Sequence, residues 1–147
     1  MTVKHHQLEV SRVIRAEQDR VFSAWTDPTQ IVQWWGAGGV ICTEAELDLV
    51  VGGIYRFANQ TPDGMTIWIT GTFNRVDPPL ALAYTWAMEP ISPDTEYSLV
   101  EVSSDEVADG TLVTVVQTQI PSEEARLTNV QGWLGCLEGL DHLISTR

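Results

Sequence analysis

Apolar and polar residues change their spacing several times along this 147-residue chain, and each change marks an element. Leu8, Val10 and Ile14 stand apart from Ser11 and Arg12 and read as a strand over 8–14, because β-branched residues in alternation favour extended backbone. From Ala16 to Trp25 the period lengthens: Val21, Phe22 and Trp25 recur at helical spacing, and Asp27-Pro28 interrupts that helix. Ile31, Trp34 and Trp35 then form the apolar face of a second short helix, which Gly36, Gly38 and Gly39 end.

Alternation returns at Val40. Glu44, Glu46 and Asp48 oppose Ala45, Leu47 and Leu49, the pattern of a strand with one wet face. Gly52-Gly53 turns the chain into a strand over 54–59, and Pro62-Asp63-Gly64 is a hairpin turn into another over 66–76. Asp77-Pro78-Pro79 precedes a strand over 80–88 with Leu82, Tyr84 and Trp86 on one face; strands over 95–102 and 111–119 follow. Beyond Pro121, Ser122 suits a helix N-cap with Glu123 and Glu124 in the first turn. Leu127, Val130, Trp133, Leu134, Leu137, Leu140 and Ile144 place an apolar face along that long helix.

The order is therefore strand, two short helices, six strands, long helix. An antiparallel sheet of this size with one apolar helix at its end buries both by curling around the helix. The expected class is α+β, a single domain over 1–147 with no linker or repeat, and such packing tends to leave a cavity between sheet and helix. The length is sufficient to bury one core without disulfides or metal.

Charge narrows the partners. The formal net charge is −12, with only eight Lys and Arg, which opposes nucleic-acid phosphates and anionic membranes. No apolar run approaches the roughly 20 residues of a membrane helix, and Met1–Gln7 lacks the order of a signal peptide, so a cytoplasmic setting is expected. Cys42 and Cys136 fit no metal or redox spacing and read as buried, unpaired thiols. Candidate catalytic groups are sparse. His5 and His6 precede the first strand, and His142 suits the negative end of the last helix. No nucleophile elbow, phosphate loop, dinucleotide fingerprint or metal-ligand spacing is present, so neither metal nor cofactor is expected. Arg56 alternates with Tyr55 and Phe57, which sends it to solvent or toward the acidic strand beside it.

Ala24-Trp25-Thr26-Asp27-Pro28, Trp34-Trp35-Gly36, Gly52-Gly53-Ile54-Tyr55-Arg56-Phe57, Asp77-Pro78-Pro79, Tyr84-Thr85-Trp86 and Gly132-Trp133 together resemble the family of heat-shock-protein-90 ATPase activator homologues. That family belongs to the START-like, or SRPBCC, superfamily. The resemblance runs from about Leu8 to Ile144 and implies a helix-grip fold, one that hosts lipid carriers, cyclases, stress proteins and co-chaperone domains. Two segments depart from the pattern: Ala37-Gly38-Gly39, where relatives commonly carry a proline, and Val50-Val51, where an Arg-Pro pair is common.

Six tryptophans exceed what a core of this size requires, and ligand pockets favour rigid aromatic walls. The expected function is to bind a small hydrophobic or amphipathic molecule between sheet and helix. Its expected lining is the aromatics Trp35, Tyr55, Phe57, Phe73, Tyr84, Trp86 and Trp133, the aliphatics Ile69, Val115 and Leu137, and Gln117. Gln117 reads equally as a polar hook for a ligand and as a satisfied core residue. Two rivals stand beside this reading: a small cyclase- or hydrolase-like enzyme using Gln117, Tyr55 or Glu101, and a module that modulates a chaperone ATPase. Gly132, Gly135 and Gly139 share a side of the last helix, each costing about 1 kcal/mol relative to alanine, which calls for a close neighbour: a strand, the ligand, or the second subunit of a homodimer.

Overall fold

The structure, a computed structural model, describes residues 6–36 and 39–145. His5 and the Ala37-Gly38 part of the turn lie outside the described residues. The elements run β1 (His6–Ile14), α1 (Gln18–Thr26), α2 (Pro28–Trp34), β2 (Ile41–Leu47), β3 (Ile54–Gln60), β4 (Thr66–Asp77), β5 (Ala81–Met88), β6 (Ser98–Val107), β7 (Gly110–Ile120) and α3 (Glu123–Ser145). All seven strands form one antiparallel sheet ordered β1-β7-β6-β5-β4-β3-β2. The chain starts at one edge, crosses through α1 and α2 to the other, and meanders back until β7 lies beside β1. Register shifts at His6/Leu8, Cys42/Glu44 and Phe73/Arg75 bend the strands locally, as bulges do, and the curved sheet grips α3 in a START-like, helix-grip fold.

Local chemistry fixes the ends. Asp27 caps α2, accepting from the Thr29 backbone N–H at 3.0 Å, from the Thr29 hydroxyl at 2.8 Å and from the Gln30 amide at 3.0 Å. Pro28 occupies the first turn of α2, where no N–H is needed. The Ser122 hydroxyl accepts from the Ala125 N–H at 3.1 Å and starts α3. Gly110, at φ 143°, closes the β6–β7 hairpin against β1, and a Cβ there would stand 2.2 Å from the Ile14 carbonyl oxygen.

β6 begins later and runs further than alternation predicts. Thr95 instead belongs to a turn, its N–H donating to the Ser92 carbonyl and its hydroxyl accepting from the Ser92 N–H. Past Val102 the side chains are mostly polar, so no apolar signal marks the strand, yet backbone pairing with β7 continues to Val107.

α3 lies over β1 and β7 and against α2. Arg12 on β1 ties the helix down by donating from Nε and its terminal nitrogen to Asp141 at 3.2 and 3.0 Å. The buried face of α3 is Trp133, Cys136, Leu137, Leu140 and Ile144. Leu127 and Leu134, expected on that face, are exposed: both sit about 100° around the helix from it at 3.6 residues per turn. Gly139 supplies the close approach its composition implies, since a Cβ there would meet the Trp34 carbonyl oxygen at 2.6 Å. The neighbour it admits is the end of α2.

Between sheet and helices the core is largely aromatic. Trp25 stacks near Trp133 at 6.2 Å and tilts against Trp34 at 4.9 Å, while Tyr55 lies 5.1–5.6 Å from Phe57, Phe73 and Tyr84. These are spacings at which edge and tilted contacts are favourable. Gly71, paired with Tyr55 across the β3–β4 ladder, leaves room for that ring. The Tyr55 hydroxyl reaches past it to donate to the Thr85 carbonyl at 2.7 Å.

Candidate functional site

A cleft of about 650 Å3 opens between the β3–β5 part of the sheet and the first half of α3, within the range of about 300–1,000 Å3 common for small-molecule sites. Its existence follows from the seating of α3: the helix covers β1 and β7 and leaves the ends of β3, β4 and β5 uncovered. Ile67 and Ile69 from β4, and Trp86 and Met88 from β5, form one wall; Gly132, Leu134 and Cys136 belong to the helix side. Trp35 and Trp133 meet edge to face at 5.4 Å between the walls. Trp35 is no longer helical. It is the C-cap of α2, with extended backbone that sends its ring to Phe57 and Trp133.

Four of the residues expected to bind ligand, Trp35, Ile69, Trp86 and Trp133, come together in this lining. The other seven do not reach it. Tyr55, Phe57, Phe73, Tyr84, Val115, Gln117 and Leu137 are buried in the core behind Trp35 and Trp133. Gln117 joins a closed polar chain there. Its side-chain oxygen accepts from Trp133 Nε1 at 2.9 Å, its amide donates to the Ser98 hydroxyl at 2.9 Å, and Ser98 donates to the Trp86 carbonyl at 3.3 Å. Both ends of Gln117 are thus spent on protein. Two further tryptophans are placed elsewhere: Trp34 is buried and donates from Nε1 to the Ala24 carbonyl at 2.9 Å, and Trp68 is on the opposite face of β4 from Ile67 and Ile69, beneath Arg56 at 3.9 Å.

Arg56 itself finds a partner the alternation does not reveal. It donates to both Glu89 oxygens at 2.7 and 2.9 Å, while Glu44 and Glu46 of the neighbouring strand stay exposed. The Arg56 hydrogen bonds hold Glu89 below its ordinary pKa.

Sequence reasoning missed Val40, Asn59, Met88, Leu134 and Cys136, all in the lining. Asn59 was accessible in principle, since it continues the inward alternation of Tyr55 and Phe57 by one more step. Met88 repeats that relation after Tyr84 and Trp86.

The electrostatics of the cleft are quiet. Among the described residues, Glu138 and Cys136 are the only ionisable side chains in its lining. Burial pushes the Cys136 thiol up to about 11 and does the same at Cys42, against the opposing hydrogen bonds that involve Gly36 and Glu44. Both thiols are therefore protonated near neutral pH and poor nucleophiles. Tyr55 and Tyr84 are likewise held above the phenol range by burial. Glu101 is exposed on the outer face of β6, away from Tyr55 and Gln117. Among the described residues no three His, Cys, Asp or Glu side chains cluster as a metal site requires.

Known proteins supply the context. The family model described as activator of Hsp90 ATPase homolog 1-like protein matches residues 15–145. No curated protein matches the chain. Among solved structures, the chain is similar to the AHSA1 protein from Silicibacter pomeroyi at a TM-score of 0.84 and 19% identity, covering 96% of this chain and 99% of that one. It is similar to a protein from Chromobacterium violaceum at a TM-score of 0.83 and 23% identity, over 94% and 96% of the two chains. An AHSA1-like protein from Aeromonas hydrophila follows at a TM-score of 0.79 and 26% identity, over 96% and 93%.

Proposed function

Because this chain belongs to the activator of Hsp90 ATPase homolog 1-like family, whose fold serves many activities and dictates none, we propose that its work is done in the cleft: reversible binding of a small, mostly apolar molecule. The observation that carries this reading is the wall formed by Ile67, Ile69, Trp86 and Met88 facing α3 across an open volume of about 650 Å3. Met88 and Leu134 are 55% and 43% exposed at its margin, so apolar surface awaits cover there. Each Å2 of such surface removed from water is worth about 25 cal/mol, which makes affinity follow the ligand's apolar area and leaves it insensitive to salt. The setting we propose is the cytoplasm, where two buried free thiols are stable. No helix among the described residues is long and apolar enough to cross a membrane.

The neutral dye N-phenyl-1-naphthylamine tests the proposal. Its fluorescence should rise on binding and change little between low and high salt. Met88→Glu puts a charge into the wall, and Gly132→Leu fills open space, since no atom lies within 4 Å of a Cβ at that position. Both should weaken the dye at least severalfold, Met88→Glu with little change in melting temperature and Gly132→Leu without lowering it, since leucine favours a helix over glycine. Absence of binding, or wild-type affinity retained by both variants, overturns the reading.

A further inference from the structure

One polar side chain in the cleft wall offers an acceptor to which no described residue donates. Asn59 lines the cleft and is 6% exposed, at the end of the inward-facing series Tyr55, Phe57, Asn59 on β3. Its amide donates only to the Phe57 and Ile67 carbonyls, at 3.4 and 3.5 Å, beyond the usual distance of about 2.9 Å. Those two contacts aim the amide at the backbone and turn Oδ1 the other way, and no described residue donates to Oδ1. Among the described residues the one buried side-chain nitrogen or oxygen without a partner belongs to Arg20, so Asn59 Oδ1 is an acceptor open to the cleft; a ligand that fills the cleft and covers Oδ1 without donating to it leaves that oxygen buried and unpaired, which costs affinity.

Resting on the cleft reading above, we propose that Asn59 is the specificity-determining residue of the site and that the ligand is an uncharged aromatic molecule bearing a hydroxyl group, which donates to Asn59 Oδ1. Three observations fix that chemistry. The vacant protein group is an acceptor, so the ligand group is a donor. Among the described residues no Lys or Arg lines the cleft and the one charged side chain there is Glu138, in a chain of net charge −12, so a carboxylate or phosphate ligand meets no counter-charge from them and some repulsion. The Trp35, Trp86 and Trp133 rings favour a flat partner of comparable width.

Four naphthalenes of nearly equal apolar area separate the contributions by calorimetry near neutral pH: naphthalene, 2-methoxynaphthalene, 2-naphthol and 2-naphthoate. The naphthol should bind about three- to tenfold tighter than naphthalene, the gain expected of one hydrogen bond. The methoxy compound, an acceptor only, should gain nothing, and the naphthoate should bind weakest. In Asn59→Leu the hydroxyl preference should vanish while naphthalene affinity holds. Equal affinity of naphthol and methoxynaphthalene for the wild-type protein overturns the assignment even if the variant fails to fold. So does a preference for naphthoate, or a hydroxyl preference that survives in Asn59→Leu. Binding of all four compounds without preference removes Asn59's role and leaves the cleft standing; binding of none removes both.

Discussion

At Trp133 packing and hydrogen bonding are joined in one side chain. The ring is 5% exposed and packs between Trp25 and Trp35, and its Nε1 satisfies Gln117. Trp133→Phe keeps most of the apolar area and removes the donor, stranding a buried amide oxygen. A loss of about 1–3 kcal/mol is expected from that alone, and Trp133→Phe/Gln117→Leu should recover part of it, as a double-mutant cycle in urea would show. Trp133→Ala should cost about 3–5 kcal/mol. The inward direction of Trp133 was legible from its spacing with Leu137 and Leu140. Its tie to Gln117 was not, because Gln117 reads equally well as ligand hook or core residue until the indole across the core is in place. Arg56 shows the same limit: alternation sends it outward, but only the folded register brings Glu89 to it.

Along the elements, the glycines of α3 divide by neighbour. Gly139→Ala gains helix propensity of about 1 kcal/mol and drives a methyl to 2.6 Å from the backbone oxygen of Trp34, where nothing can rotate aside; a net fall in melting temperature is expected. Gly132→Ala meets no atom within 4 Å and should raise it. Thermal denaturation of the two variants side by side checks both signs. Strand and helix existence was readable almost throughout, since a one-faced sheet imposes period 2 and an amphipathic helix period 3.6. The exact face of α3 was less so. Leu127 and Leu134 carry the hydrophobicity expected of the core and lie off it, whereas Cys136 lies on it, because the seat of a helix is decided by where the sheet curves.

For the molecule as a whole, acid should be the weak direction. Asp27 is held below the ordinary carboxylate range by Gln30 and Thr29, Asp63 by Thr61, Glu89 by Arg56 and Glu123 by Arg126. Each is a carboxyl whose pKa falls on folding, so its contribution is complete above the unfolded value of about 4 and disappears as pH drops from there through the lowered folded value. Melting temperature should therefore decline below about pH 4, and Asp27→Asn with Glu89→Gln should flatten that decline. An unchanged slope in the double variant would count against Asp27 and Glu89 as its source. The helix-grip architecture was legible at this scale from element order alone. The position of the opening was not, because it depends on how far α3 leans toward β1 and β7.

That lean has a counterpart in time. β1 is made first, yet its ladder partner is the last strand, with His6 opposite Ile120 and Ile14 opposite Thr111, and the helix that covers both is made later still. On the ribosome, Leu8, Val10 and Ile14 must wait exposed while the whole meander from β2 to β6 emerges and pairs with itself. Contacts so distant in sequence close slowly, and unpaired apolar strand edges invite association while they wait. A nascent chain halted before Gly110 would hold five strands of its sheet in order and still have an open flank.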